Sequence, residues 1–260
     1  MIELSDLLQV VINNWGVITL FFIVAILYSS VGFGGGSSYL AILSLTTLGF
    51  IQFRAIALLC NIVVVSGGTY IFAKKGHYNW KKVVPLALIS IPMAFFGGYL
   101  KISQTFFFIL LGFTLIVAAV LMWISKYISE SPRQEIRNSI VKDGFFGGVI
   151  GFISGMVGIG GGVFLAPLLH LTKWDTPKRI AATSSFFILV NSIAGLLGQY
   201  QNSDFYFEPN IAFVLMLTVF FGGQIGSRLS SSKLSPLTIK RITAILIVFV
   251  GLRIIYKHLF

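Results

Sequence analysis

At 260 residues, with 56% hydrophobic and only 10% charged side chains, the chain carries too little polar surface to cover a water-soluble globule, where about a quarter of residues are charged. Its net charge of +11 belongs to connections between apolar runs, as on the cytoplasmic face of a membrane protein, and no recognition motif accompanies it, which excludes nucleic acid as a partner. A single cysteine, Cys60, excludes an internal disulfide and a CxxC metal site.

In chain order, the N-terminus carries Glu3 and Asp6 where a cleavable signal peptide carries Lys or Arg, and no small-x-small cleavage site follows the first apolar run. It is therefore read as mature structure. Residues 15–48 are apolar but broken at Gly32-Phe33-Gly34-Gly35-Gly36. Runs long enough to cross a bilayer, about 20 residues, follow at 53–72, 83–100 and 105–124. A polar linker of mixed charge, 125–143, leads to a second broken stretch, 144–171, interrupted at Gly158-Ile159-Gly160-Gly161-Gly162. Runs at 180–198, 211–229 and 242–256 complete the chain.

The breaks disclose an internal repeat. The VGFGGG that begins at Val31 matches the VGIGGG that begins at Val157. Each is followed by an apolar half-helix, an arginine (Arg54, Arg179), a helix with polar residues at mid-span and a helix with a Gly-Gly pair (Gly97-Gly98, Gly222-Gly223). The landmarks keep one order and a spacing near 125 residues. The sequence thus predicts an all-α integral membrane protein, 1–260, as one transmembrane unit of two repeats, about 15–124 and 144–256.

Charge orients the repeats. Connections 73–82, 125–143 and 228–241 each hold four Lys or Arg and 172–179 holds three, whereas 49–54 and 101–104 hold one each and 199–210 none. The rich connections share a face only if each glycine-broken segment enters and leaves on the same side. Each half then has one re-entrant or half-helix segment and three crossings, and the odd number inverts the halves. The competing topology is eight full crossings with parallel repeats.

A stretch of four glycines in five residues does not stay helical, since each costs roughly 1 kcal/mol in a helix interior. Unwound backbone at membrane depth survives only where protein or a watery cavity satisfies it, and two matching breaks point to a transporter's binding site. The half-helices that follow, 37–48 and 163–171, would present free N–H groups and positive dipole ends near the midplane. Bare glycine lets an anion come close to such a backbone. Candidate substrate-binding residues are therefore Gly34, Gly35, Gly36, Ser37 and Ser38 at the first break and Gly160, Gly161 and Gly162 at the second. Cys60 and Asn61 in one helix, and Ser184, Ser185 and Asn191 in its counterpart, add neutral mid-span groups; interhelical bonding and small-residue packing are the alternative uses of these residues. None of the eight acidic residues lies inside an apolar run. That disfavours a metal-cation carrier, a proton relay and a membrane-embedded hydrolase. No catalytic residue, metal or cofactor is assigned. His170 reads as a helix-end residue, and Arg54 and Arg179 as snorkelling side chains that could also attract anions at the two mouths.

These residues resemble the TauE/SafE sulfite exporter family. The duplicated GxGGG, the VFLAP with Pro167, the TSSF that begins at Thr183 and the GGQIGSRL that begins at Gly222 carry the resemblance, which extends from about Trp15 to Tyr256. It implies a multi-pass protein of the cytoplasmic membrane that moves sulfite or organosulfonate anions, with export the expected direction. The implied partners are a small anion and the lipid bilayer, with a homodimer as a further arrangement. The first half has Ala41 where the second has Pro167, and Ser37-Ser38 where the second has Val163-Phe164, so the half-sites are not equivalent. Other functions compatible with the residues are a carrier or channel for another solute and a non-transporting assembly factor.

Overall fold

The computed structural model describes residues 4–30, 34–128, 140–206, 208–229 and 236–259. All of their regular structure is helical, as backbone satisfaction inside lipid requires. The first half gives α1 (Leu4–Asn13), α2 (Trp15–Ser30), α3 (Gly36–Leu43), α4 (Phe50–Lys74), α5 (Trp80–Tyr99) and α6 (Gln104–Ile128). The second gives α7 (Ile140–Val157), α8 (Gly162–Leu171), α9 (Pro177–Tyr200), α10 (Pro209–Leu229) and α11 (Pro236–Leu259). Residues 31–33, which open the first glycine break, and 129–139, most of the linker, lie outside the described residues.

Among the described residues, α4, α5, α6, α9 and α10 are long and apolar enough to cross a membrane. The chain is a multi-pass membrane protein. α1 and α2 meet at a 79° bend beside Asn14 and could form a sixth span only as a pair. At the repeat spacing, the positions that match α1 fall within 129–139, outside the described residues.

Each glycine break separates a long arm from a short one. α2 and α7, with 16 and 18 residues, rise about 24 and 27 Å, at 1.5 Å per residue. α3 and α8, with 8 and 10 residues, rise about 12 and 15 Å. α3 stops at Leu43, short of the apolar run's end at Leu48, because the hydroxyls of Ser44 and Thr46 turn back to the carbonyls of Ala41 and Leu43. Such local bonds compete with helix continuation. α7 stops where Gly158 turns to φ +88 and both Gly158 N–H and Ile159 N–H donate to Ser154 O. Left-handed glycine is the usual helix stop.

The halves interlock. α7 packs along α5, and α2 packs along α10, so the long arm of each half lies against the second spanning helix of the other. α4 pairs with α9 and α6 with α11. Each of these four pairings is matched by a reciprocal or self-reciprocal one, a pattern compatible with a twofold relation between halves. On the α5–α7 seam, Gly147, Gly151 and Gly155 recur every four residues on α7. A Cβ on them would run into the backbone oxygens of Leu86, Ser90 and Ala94 respectively. This is close approach through small residues, the means by which helices associate where lipid is as apolar as leucine. On the mirror seam the small residues sit on α10: Gly222 faces Phe22 and Ala25, and Gly226 faces Ile26.

Candidate functional site

The two breaks meet at the centre of the bundle. Asn61 of α4, fully buried, stands between them. Its Nδ2 donates to Ile159 O of the second break at 2.9 Å. Its amide also abuts the first break: a Cβ on Gly34 would lie 2.7 Å from Asn61 Oδ1, and one on Gly36 would strike both Nδ2 and Ile159 O. A Cβ on Gly160 would lie 2.7 Å from the same Nδ2 and 2.8 Å from Ser192 Oγ. Ile188 of α9 closes the other side, against Gly34, Gly160 and Gly162. Glycine is needed at Gly36 for this approach, and at Gly160 and Gly161 also for conformation, since their φ values are +81 and +80.

Both short helices begin here without a side-chain cap. α3 starts after Gly35 and α8 after Gly161, and neither N-cap supplies a hydrogen bond to the first turn. The first N–H groups of each helix have no partner within it. One small cavity is lined from both sides, by Gly34, Gly35, Gly36 and Ser37 and by Ile159, Gly162 and Val163, with Tyr28, Met122 and Ile188 completing the wall. Its volume is about 10 Å³, room for one water molecule. The side-chain atoms Ser37 Oγ, Asn61 Oδ1 and Ser192 Oγ are buried without a hydrogen-bond partner. Each is a polar group whose burial costs free energy until something binds it.

The remaining candidates lie elsewhere. Ser38 pairs its hydroxyl with Tyr28 Oη at 2.7 Å. Cys60 is buried in the apolar core. Asn191 Nδ2 bridges α9 to α5, donating to Ser90 Oγ at 3.0 Å and to Phe187 O at 2.8 Å. Ser185 Oγ shares a 3.0 Å hydrogen bond with Thr69 Oγ1. Ser184 is buried with an unpartnered hydroxyl. Ile188, Ser192 and Tyr28 escaped the sequence reading. One signal for the first two was available: Ser184, Ile188 and Ser192 recur every four residues and so share a helix face.

The paired helices α4 and α9 carry polar residues at three levels. Arg54 and Gln199 line one cavity together. Asn61 and Ser192 both bear on Gly160. Thr69 and Ser185 are bonded to each other. Successive levels lie seven or eight residues apart on both helices, about 10–12 Å of rise. The run of polar groups therefore extends from one end of the seam past the glycine breaks toward the other.

At the Lys- and Arg-rich end, Asp175 is paired with Lys82 at 3.5 Å and with Arg179 at 3.6 Å, and Lys82 also donates to Trp174 O at 2.7 Å. This ties the start of α5 to the turn between α8 and α9. No group of His, Cys, Asp and Glu able to hold a metal occurs among the described residues.

The sequence profile of the family described as sulfite exporter TauE/SafE matches residues 17–254. A probable membrane transporter protein of Sinorhizobium fredii is 31% identical over 247 residues, covering 93% of this chain and 98% of its own. One of Methanocaldococcus jannaschii is 30% identical over 234 residues, covering 83% and 85%. One of Xylella fastidiosa is 28% identical over 239 residues, covering 86% and 88%. No solved structure matches the chain.

Proposed function

The chain belongs to the sulfite exporter TauE/SafE family of membrane transporters, and from that premise we propose that it is a secondary transporter exporting small sulfur-containing anions, sulfite or an organosulfonate. The observation that carries the reading is the meeting of two uncapped helix N-termini, those of α3 and α8, at one cavity. Each brings free N–H groups and about half a positive charge. The cavity wall holds Gly34, Gly35, Gly36 and Ser37 on one side and Gly162 on the other, and in this reading their main-chain N–H groups receive the oxyanion. The hydroxyls of Ser37 and Ser192 add neutral donors, and Asn61 Nδ2 becomes a third once its bond to Ile159 O opens. Such a site binds an anion without a fixed cation that would retain it.

A cavity sized for one water does not admit sulfite. Substrate binding must part the two breaks, and the bond to be released is Asn61 Nδ2 to Ile159 O, which holds the second break against α4. A net hydrogen bond of this kind is worth about 0.5–1.5 kcal/mol, well within what ion binding can offset. Opening toward either end of the α4–α9 seam is the alternation that transport requires. We orient the protein with connections 75–79 and 172–176 cytoplasmic and 201–208 outside, which makes the halves inverted. The reciprocal helix pairing supports a twofold relation, and the distribution of Lys and Arg supports its direction.

Flux through the purified protein in liposomes tests the reading. Saturable sulfite movement, competed by an organosulfonate, is the expected result. Phosphate movement that sulfite does not compete would overturn the sulfur-anion assignment, and saturable divalent-cation movement indifferent to sulfite would overturn anion transport altogether.

A further inference from the structure

A second cavity, of about 70 Å³, opens at the end of the bundle where α5 joins α6 and α9 joins α10. Its polar lining is Arg54, Lys101, Gln199, Asn202 and Asp204. Arg54 and Gln199 are each only 4% exposed. The Arg54 guanidinium makes one long hydrogen bond, from Nη2 to Gly155 O at 3.4 Å, and lies 6.0 Å from the centre of the Phe107 ring. Its Nε has no acceptor, and neither amide atom of Gln199 has a partner. Among the described residues no carboxylate forms an ion pair with Arg54. Asp204 is instead engaged by Lys101 at 3.0 Å.

The repeat supplies an internal control. Arg179 stands 125 residues after Arg54, is 46% exposed, and is paired with Asp175 at 3.6 Å. The position matching Asp175 at the same spacing is Phe50, which lines the Arg54 cavity. The same repeat position thus carries a compensated surface arginine at one end and an uncompensated buried one at the other. A guanidinium buried without a countercharge is unfavourable by itself, and an unpaired ionisable residue within a membrane span marks an ion or substrate pathway.

We propose that this cavity is a second anion-binding station, in which Arg54 and Gln199, assisted by Lys101, hold a small oxyanion at the mouth of the α4–α9 seam. The proposal rests on the anion-transport reading above. Room for roughly five waters suits an ion of four or five heavy atoms. The station connects to the centre: Arg54 and Asn61 are seven residues apart on one face of α4, about 10 Å of rise. Gln199 and Ser192 are spaced alike on α9. A Cβ on Gly158 of the second break would lie 3.1 Å from Arg54 Cα, so the station touches the segment that must move. The same chemistry would suit a lipid headgroup phosphate, and the test separates the two.

Protein in phosphatidylcholine nanodiscs is titrated with sulfite by calorimetry, with thermal stability measured in parallel. Two classes of site are expected. Arg54→Gln should weaken one class roughly tenfold to a hundredfold, the loss of one charge-assisted bond, and Gly36→Ala should weaken the other. Gln199→Met, which keeps the side-chain volume, reads the Arg54 class if Arg54→Gln does not fold. If Arg54 serves only to pin α4 to Gly155 O, Arg54→Gln lowers the melting temperature while both classes keep their affinities, and the proposal fails. Displacement of sulfite from the Arg54 class by phosphatidylglycerol would assign the cavity to a lipid and overturn the small-ion reading. An Arg54-dependent class without any Gly36-dependent class would sink the central site and leave this station standing.

Discussion

Gly36→Ala tests the central site at the point where geometry is least forgiving. Gly36 does not adopt a left-handed conformation, so the backbone itself accepts alanine. The methyl, however, would occupy space held by Asn61 Nδ2 and Ile159 O. One of these is main chain and cannot rotate away. Displacing the Asn61 amide sacrifices its 2.9 Å bond to Ile159, and overpacking of this kind costs about 1–3 kcal/mol of stability. The methyl would also stand at the start of α3, on the wall of the central cavity. Losing even one charge-assisted bond to an anion, about 1.5–3 kcal/mol, weakens binding roughly 10- to 100-fold. Gly147→Ala is the comparison, since its Cβ would meet only the Leu86 backbone on the α5–α7 seam, away from either cavity. Sulfite titration and thermal unfolding are measured on both. Gly36→Ala should lose affinity beyond its loss of stability, and Gly147→Ala stability alone. If both unfold earlier while the folded fraction binds sulfite with unchanged affinity, the glycine breaks are packing devices and the central site is misassigned.

Three further outcomes are expected. With Cys60 replaced, single cysteines at Lys142 and Lys173 should react with an impermeant thiol reagent from the same side, and one at Asn202 from the opposite side; reaction of the Lys142 and Lys173 positions from opposite sides would replace re-entrant segments with full crossings. Lys82→Met should lower stability by about 1–3 kcal/mol, read as a fall in melting temperature, because Asp175 loses its more buried partner and Trp174 O its donor. Asp204→Asn should strengthen sulfate binding at the Arg54 cavity by freeing Lys101. The Lys101 ammonium, by hydrogen bond and charge, holds the Asp204 carboxyl below the usual carboxylate range. Their mutual stabilisation is therefore present at neutral pH and lost only as pH falls through that lowered value, so sulfate affinity at this cavity should stay flat between about pH 5 and 8.

What could be read from the sequence followed from local rules. Four glycines in five residues cannot remain helix, so both breaks were legible, and Asn61 stood out as an amide inside an apolar run. Pro177 after Thr176 marks the start of α9 as proline at a first helical position does. The groups that escaped notice depend on elements far away in the chain. Ile188 and Ser192 are ordinary residues of an apolar helix until the second break is laid against them. Arg54 reads as a snorkelling side chain because it sits near a helix start. It is buried because α7, a hundred residues later, covers it and lends it Gly155 O. The division of labour among hydroxyls was equally hidden, since nothing local tells whether Ser185 faces Thr69 or the cavity. α3 ended early through two hydroxyls, Ser44 and Thr46, that sit inside an otherwise apolar run.

The interlocked packing has a consequence for how the protein is made. α2 ends at Ser30 and its partner α10 begins at Pro209, so on a ribosome adding about 5–20 residues per second the first helix waits roughly 10–40 s for the surface it will rest on. What it shows the lipid meanwhile is smooth: Phe22, Ala25 and Ile26, with no glycine notch among them, since its one glycine, Gly16, faces open space. The notches that make close contact possible, Gly222 and Gly226, are on the helix that arrives late. Of this pair, the helix made earlier has no notch on the shared face, and the notched helix is inserted with its partner already in place.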